Sequence, residues 1–220
     1  MGNNRKWLVT VAVVTLLCGS RGWAAEAKTP AELYFAAEFQ NNTRSALTLG
    51  RLYETGTGGV GGKSIEAALY WYRRAVQIGN AVPAKDMVYN NFATLEACHR
   101  LGYLYEYGDG TIAKNLKEAA RWYMRAAEKG WAISAYNLGA MYASGYIDPP
   151  DDVQGYAWML IAQGAVDGCT HDPNCRFINN DPPGHMKVLR RRMKASQLDE
   201  AQKRANSWRP LDRWRPVDIE

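Results

Sequence analysis

The chain has 220 residues, with 27 lysines and arginines against 22 acidic residues, and only 3 histidines and 4 cysteines. Its length allows one domain or a short repeat array with a substantial core. The formal net charge of +5 is too small to indicate a nucleic-acid binder, and we expect no nucleic-acid partner.

The N-terminal residues 1–24 read as a cleavable signal peptide. Arg5 and Lys6 precede the apolar run WLVTVAVVTLLCG, and small residues follow up to Ala24. The run is too short for a comfortable membrane span. Lipid attachment at Cys18 is an alternative, although Leu17 stands where a small residue is expected. We therefore predict a periplasmic or secreted protein.

The first helix is predicted directly after this segment. Thr29 is a suitable N-cap, Pro30 suits the first helical position, and Glu32 can complete a capping box. The helix AELYFAAEF has no partner helix before it. It is expected to cap the N-terminal end of whatever follows.

Three stretches of the chain repeat one pattern. Each contains Leu-Gly, then tyrosine three residues after that glycine and a further glycine three residues later; the segments are ALTLGRLYETG, CHRLGYLYEYG and AYNLGAMYASG. A second block follows each, with a tryptophan at Trp71, Trp122 or Trp158. Apolar residues within each block recur at helical spacing. The pattern predicts three pairs of helices, A and B, in units at about 45–80, 95–131 and 132–168.

The recurring glycines at Gly50, Gly102 and Gly139 lie inside the predicted A helices, where glycine costs about 1 kcal/mol relative to alanine. Their recurrence implies compensation. We expect the missing side chain to let helix B approach closely, so that the tryptophan of helix B can pack there.

This arrangement resembles the Sel1-like repeat, a relative of the tetratricopeptide repeat, over roughly residues 29–168. The third unit departs from the pattern, because YIDPPDD replaces a glycine-rich loop and Met159 stands where the second aromatic is usual. The resemblance implies an all-α, right-handed α-solenoid with capping helices at both ends. It also implies a protein-binding role without catalysis, as an adaptor, a regulator of envelope signalling or a part of an envelope machine.

The segment GTGGVGGKS, from Gly56 to Ser64, looks like a phosphate-binding loop but departs from the pattern, because Thr57 stands where the first glycine belongs. It also follows a predicted helix, whereas a phosphate loop follows a strand. We interpret it as the turn between helices A and B of the first unit, and we predict no cofactor.

Positions that vary among the units are the candidates for recognition. Three variable positions on each A helix, spaced by three and four residues, share one face, which should line the concave side of the solenoid. From this face we nominate partner-binding residues of types that are common in binding hot spots or can donate hydrogen bonds: Arg51, Arg100, Tyr103, Tyr107 and Asn137. The alternative is that the tyrosines only cover neighbouring helices.

Two reactive residue types fall on framework positions. Cys98 occupies the place of Ala46 and Ala135, which indicates a buried, inert thiol. His99 stands where Leu47 and Tyr136 stand and is expected to be packed rather than catalytic.

Residues 169–220 are predicted to hold a disulfide loop, capping helices and a basic tail. Cys169 and Cys175 flank CTHDPNC and should form a disulfide in an oxidising compartment. A metal site that adds His171 and His185 is the weaker alternative, and we predict no metal.

A further helix start is predicted at Ser196–Asp199, for a helix that covers the open face of the third unit. After it come WRPLD and WRPVD, an extended cationic strip in which we nominate Trp214 as a partner contact. The segment from Lys187 onward carries ten basic and five acidic residues, so a weak contact with an anionic surface is possible.

The sequence thus predicts an exported, non-enzymatic scaffold that binds another protein. The runner-up hypothesis is a component or regulator of an envelope machine such as a flagellar motor, a secretion system or an immunity protein. A β-lactam-binding hydrolase is a further alternative, but the Ser-x-x-Lys arrangement of serine enzymes of that class does not occur in the chain.

Overall fold

The computed structural model describes residues 28–81, 87–166, 173–181 and 184–209. The predicted signal peptide, the predicted Cys169–Cys175 disulfide and Trp214 lie outside the described residues.

The described residues are organised as helices joined by turns, with no strand among them. The helices are α1 (Pro30–Phe39), α2 (Thr43–Thr55), α3 (Ile65–Ala81), α4 (Met87–Tyr107), α5 (Leu116–Ala127), α6 (Ala132–Ala143), α7 (Asp152–Ala165), α8 (Pro173–Asn180), α9 (His185–Arg192) and α10 (Ala195–Ser207). This architecture confirms the predicted all-α class.

Three antiparallel hairpins form the body of the molecule. Helices α2 and α3, α4 and α5, and α6 and α7 pack as pairs, and each hairpin contacts the next through α3–α4 and α5–α6. Their buried faces form two apolar clusters, one centred on the first hairpin and the start of the second, the other on the third. Because each hairpin buries its second face only against the next, the array is a solenoid rather than a bundle.

The N-terminal capping box is present as predicted. Thr29 Oγ1 accepts a hydrogen bond from the Glu32 N–H at 3.3 Å, and the Glu32 carboxylate accepts from the Thr29 N–H at 2.7 Å. Helix α1 packs on α2, and the ring of Tyr34 meets that of Trp71 edge-on at 5.5 Å. The outer side of α1 still leaves Phe39 69 % exposed, so this cap is apolar on both sides.

The C-terminal end is covered by α9 and α10. Helix α9 contacts α6 and α7, while α10 packs on α7 with its Trp208 ring 6.2 Å from that of Trp158. The predicted start of α10 at Ser196 was wrong. The helix begins at Ala195, because the Gln197 side chain accepts from the Lys194 N–H at 2.9 Å and so satisfies that donor.

Each A-helix glycine touches a helix-B side chain directly. A Cβ atom at Gly50 would lie 2.4 Å from the ring of Tyr72, and one at Gly102 would lie 2.6 Å from the ring of Tyr123. The close approach is as expected, but the residue packed on the glycine is not the tryptophan. It is the residue after it, because one step along helix B turns the side chain by about 100°.

The tryptophans of helix B lie buried on a different side. Trp122 belongs to the apolar cluster of the first hairpin, whereas its neighbour Tyr123 belongs to the cluster of the third. Helix α5 therefore connects the two clusters. Trp71 and Trp158 are buried as well, against the terminal helices through Tyr34 and Trp208.

The segment GTGGVGGKS is a turn between two helices. Helix α2 ends at Gly56 with φ of 74°, a left-handed conformation that favours glycine, and a Cβ there would lie 2.8 Å from the backbone nitrogen of Lys63. Gly108 repeats this in the second hairpin with φ of 66°. Since a helix rather than a strand precedes the loop, the structural context of a phosphate loop is missing.

Residues inserted between the first two units lengthen the helices on both sides of residues 82–86. Helix α3 has 17 residues and α4 has 21, whereas α5 and α6 have 12 each. The insertion thus enlarges the junction between the first and second hairpins.

We predict that Gly102→Ala destabilises the protein by about 1–3 kcal/mol, since a methyl group forced against Tyr123 overpacks the hairpin. Gly164→Ala is the matched control, because a Cβ at this helical glycine would meet no atom within 4 Å. The control should gain up to about 1 kcal/mol from helix propensity. Urea denaturation measures both changes, and equal stabilities for the two variants would contradict the packing assigned to the glycine.

Candidate functional site

The A helices of the first two hairpins each carry a partly buried polar contact with helix B. The Tyr72 hydroxyl donates to Glu54 at 2.5 Å, and the Tyr123 hydroxyl donates to Glu106 at 2.8 Å. Each glutamate lies four residues after the helix-A glycine, and each tyrosine directly follows the helix-B tryptophan. The two tyrosine–glutamate pairs therefore occupy equivalent positions in the repeat. Desolvation raises the pKa of both tyrosines, and they stay protonated donors.

Two of the nominated residues join neighbouring hairpins. Arg100 Nη1 lies 3.5 Å from the Glu54 carboxylate of the preceding unit. Asn137, at the equivalent position of the third unit, forms a side-chain hydrogen bond with Tyr123 of the second. These two side chains are therefore held by contacts between repeats. Sequence spacing alone could not show that the preceding hairpin would engage them.

Arg51 is also engaged between hairpins. Its guanidinium donates to Glu96 of α4, and the two side chains form an ion pair. Glu96 lies in the part of α4 that extends toward the inserted segment. The nominated arginines of the first two units thus pair with acidic residues of this chain.

Tyr103 and Tyr107 remain exposed on the A-helix face. Tyr103 is 41 % exposed and Tyr107 is 63 % exposed, and their ring centroids lie 4.7 Å apart. Desolvation raises the pKa of Tyr107, with smaller contributions from Glu106, Tyr103 and Tyr146; Tyr146 follows the end of α6 and is 47 % exposed. We call Tyr103, Tyr107 and Tyr146 the tyrosine surface.

Sequence reasoning missed Tyr146. It lies beyond Ala143, where α6 ends, so helical spacing could not assign it to the face of Tyr103 and Tyr107. In the structure the Lys114 ammonium lies 5.2 Å from the centre of the Tyr146 ring, which adds a cation–π contact at the edge of the surface.

The electrostatics of the two tyrosine–glutamate pairs differ. Glu54 has Arg100 beside it, whereas the residue equivalent to Arg100 in the third unit is the neutral Asn137. Desolvation raises the pKa of Glu106, and this effect is only partly opposed by its hydrogen bond from Tyr123 and by Lys114. The carboxylate of the second hairpin is therefore the less stabilised of the two.

Cys98 and His99 lie where the repeat places framework residues. Cys98 is a fully buried free thiol, and desolvation raises its pKa to about 12, so it is a poor nucleophile. His99 is paired with Ser134 Oγ at 3.1 Å, and desolvation lowers its pKa to about 4. A neutral, enclosed imidazole of this kind is part of the packing.

Neither a metal-binding cluster nor a membrane-spanning helix occurs in the described ranges. Residues 28–81, 87–166, 173–181 and 184–209 contain no cluster of histidine, cysteine or acidic side chains that could hold a metal ion. None of the helices described there is long and apolar enough to span a bilayer.

A family model of a known repeat matches the three hairpins of this chain. The model of the Sel1 repeat matches residues 44–80, 95–131 and 132–162, the three hairpins described above. It is a Sel1-repeat protein. The repeat explains the shared glycine, tyrosine and tryptophan positions, and proteins built from it generally serve as scaffolds for other proteins.

Individual relatives cover part of the chain. Cytochrome c oxidase assembly factor 7 of Mus musculus is 32 % identical over 124 residues, which are 54 % of this Sel1-repeat protein and 48 % of the mouse protein. The chain thus spans about half the length of that relative.

Two solved structures are similar to this chain. A Sel1-repeat protein from Oxalobacter formigenes superposes with a TM-score of 0.50 at 24 % identity, over 74 % of this chain and 64 % of the other. A protective antigen of uropathogenic Escherichia coli with an SLR fold gives a TM-score of 0.44 at 24 % identity, over 84 % and 42 %.

We predict opposite effects for two matched substitutions at neutral pH. Glu54→Gln loses the ion pair with Arg100 and should destabilise the protein by about 0.5–1 kcal/mol. Glu106→Gln removes a poorly solvated charge and keeps an acceptor for Tyr123, so the variant should be as stable as the parent or more stable.

The pH dependence gives a second check. Because the folded-state pKa of Glu106 is raised, its ionisation lowers stability as pH rises from the unfolded pKa, about 4.3, through the folded pKa. The advantage of Glu106→Gln should therefore be present at pH 7 and absent below pH of about 4. Denaturant titrations at both pH values measure it, and a larger loss for Glu106→Gln than for Glu54→Gln at pH 7 would contradict the assignment.

Proposed function

We propose that this Sel1-repeat protein is a non-enzymatic scaffold that binds a partner protein through the tyrosine surface. The observation that carries the proposal is the exposure of Tyr103 and Tyr107 at positions where the repeat framework requires no aromatic residue. The other units have Arg51 and Thr55, or Ala140 and Ser144, at the same two places.

Exposed tyrosines whose rings contact each other suit a protein partner for a physical reason. A tyrosine ring supplies a large apolar contact with few rotatable bonds, and its hydroxyl can donate or accept a hydrogen bond at the rim. The two rings already contact each other at 4.7 Å, so less side-chain entropy is lost on binding. Of the five nominated residues in the described ranges, these two form the centre of the proposed site.

Arg51, Arg100 and Asn137 take a supporting role in this proposal. Their contacts with Glu96, Glu54 and Tyr123 keep the hairpins in register, which keeps the tyrosine surface in shape. Substituting them would affect stability and binding together. They are therefore poor probes of the interface itself.

The curated relative supports an assembly role in general terms. Its name describes an assembly factor, a protein that holds or presents other proteins while a complex forms. We propose that the present chain, which covers about half of that protein's length, likewise holds another polypeptide.

We further propose that the protein acts after export, in the periplasm or outside the cell. The support is the residue pattern of positions 1–24, a basic start followed by an apolar run and small residues. A component or regulator of an envelope machine is the second form of this proposal, and it uses the same surface.

Site-specific photo-crosslinking tests the interface. A photoreactive phenylalanine analogue placed at Tyr107 should crosslink to a discrete protein in the native compartment, and mass spectrometry identifies it. With that partner purified, Tyr103→Ala combined with Tyr107→Ala should weaken binding by at least about 30-fold, the effect of losing one strong hot spot.

Phe39→Ala provides the matched control, because Phe39 is the more exposed aromatic residue and lies on the outer side of α1. It should leave the affinity unchanged. Equal affinities for the double tyrosine variant and the parent, with both folded by circular dichroism, would overturn the proposed interface.

Export and oxidation can be measured in one experiment. Intact-mass spectrometry of protein purified from the periplasm should show cleavage after Ala24 and a mass lower by two hydrogens, as expected for a Cys169–Cys175 disulfide. Recovery only from the cytoplasm with residues 1–24 retained would contradict the proposed location.

A further inference from the structure

A second concave surface lies on the B-helix side of the array, away from the tyrosine surface. It is a groove of about 410 Å³ between α3 of the first hairpin and the loop before α5 of the second. One stripe of α3, including Glu66, Leu69 and Arg73, forms its floor, and Ile112 closes the other side. Leu69 and Ile112 pack on the first apolar cluster, so the groove has an apolar wall.

Arg73 lies in this groove without a carboxylate partner. Its Nη2 donates to the Tyr105 hydroxyl at 2.5 Å, and its guanidinium carbon lies 6.0 Å from the centre of the Tyr105 ring. Its Nε is enclosed and has no acceptor. Within the part of the chain that the structure describes, no acidic side chain forms an ion pair with Arg73.

Arg74, the next residue along the helix, differs from Arg73 in having its guanidinium paired with a carboxylate. Arg74 Nε and Nη2 donate to the two oxygens of Glu38, each at 3.3 Å, so its charge is neutralised by α1. The same glutamate accepts from the Tyr70 hydroxyl at 3.2 Å. The Glu38 carboxylate is therefore committed to Arg74, and Arg73 has no ion-pair partner among the described residues.

Comparison of the repeats shows that the framework does not need an arginine at this position. Arg73 stands two residues after Trp71, and the equivalent residues are Met124 in the second hairpin and Leu160 in the third. Met124 packs on the second apolar cluster, as does Tyr142, the repeat equivalent of Tyr105. An apolar side chain thus suffices at the next junction, and a partly buried cation has replaced it at the first.

We propose that the groove binds an extended segment of a partner protein that carries a single acidic residue, with its side-chain carboxylate paired to Arg73 and an adjacent apolar side chain against Leu69 and Ile112. A carboxylate matches the planar donor set of a guanidinium and compensates its positive charge. The apolar wall excludes water and strengthens the pair.

Glu66 limits the sequence that the groove accepts. It lies seven residues, or about 10.5 Å along the helix, from Arg73. That separation corresponds to about three residues of an extended peptide. A second carboxylate at that end would be repelled, so the groove selects a single acid beside an apolar residue rather than an acidic run.

This groove shares no residue with Tyr103, Tyr107 and Tyr146, and it lies along a B helix rather than an A helix. The inference therefore stands apart from the function proposed above. Failure of binding at either surface leaves the other untouched.

The test uses two capped dipeptides that differ in charge alone: acetyl-Leu-Glu-amide and acetyl-Leu-Gln-amide. Each is titrated into the full-length isotope-labelled chain while the Arg73 Nε–Hε resonance and the backbone amides of α3 are followed by NMR. The glutamate probe should cause saturable shifts at Arg73, and the glutamine probe should bind about tenfold more weakly. Raising the salt concentration should weaken the glutamate probe selectively.

Arg73→Met installs the residue type that the next junction already uses, so this variant should fold. It should lose the saturable response to the glutamate probe. Arg121→Met is the matched control, since Arg121 is exposed on the following B helix and pairs with Glu118 at 3.2 Å. It should leave the response intact.

Two results would overturn the proposal. One is identical shifts for the glutamate and glutamine probes on the unsubstituted chain, a comparison that needs no variant to fold. The other is an undiminished glutamate response in Arg73→Met, which would place the carboxylate elsewhere. A purely structural Arg73 would change the melting temperature of the variant but would not distinguish the two probes.

Discussion

The contact on which this solenoid depends is an aromatic ring lying directly on bare helix backbone. At Gly50 and Gly102 the ring of helix B occupies the volume that any other residue's Cβ would fill. The close approach buries the rings of Tyr72 and Tyr123 completely. The hydroxyl group of each ring then donates to the glutamate one turn further along helix A. The third hairpin keeps the approach with Met159, which fills the space but supplies no hydroxyl. There the polar link is made instead by Tyr136 and Asp181, at 2.5 Å, and joins the C-terminal segment to α6.

Once the hairpins are formed, polar side chains at variable positions connect one to the next. Arg100 on Glu54, Asn137 on Tyr123 and Arg51 on Glu96 each cross a junction. Such contacts are individually weak at a surface, yet they recur along the array and oppose sliding of the units. The residues left for recognition are those whose size or charge exceeds what the framework needs. On the A face these are tyrosines, and on the B face the residue is Arg73.

Much of the fold could be predicted because the signals are local. Thr29 and Glu32 predict the N-terminal cap of α1, and the glycines predict the turn of the first hairpin. The buried faces of the helices follow from the recurrence of apolar residues with a period near 3.6 residues. The N-cap of α10 is Lys194, two residues before the predicted Ser196, and was missed since Lys194 is not a conventional cap. The tryptophan was assigned to the glycine in place of the tyrosine beside it, an error of one helical step. Periodicity identifies the face of a helix but does not say which neighbour fills it.

The order of hairpins, their capping helices and the helix face that carries variable residues thus follow from residue spacing, since each depends on interactions within about one repeat. The packing of one hairpin on the next decided which candidate side chains are engaged and which are exposed. It engaged Arg51, Arg100 and Asn137, left Tyr103 and Tyr107 exposed, brought Tyr146 beside them and left Arg73 without an acid. These outcomes depend on which side chains from distant positions meet across a junction, and an isolated repeat does not contain that information.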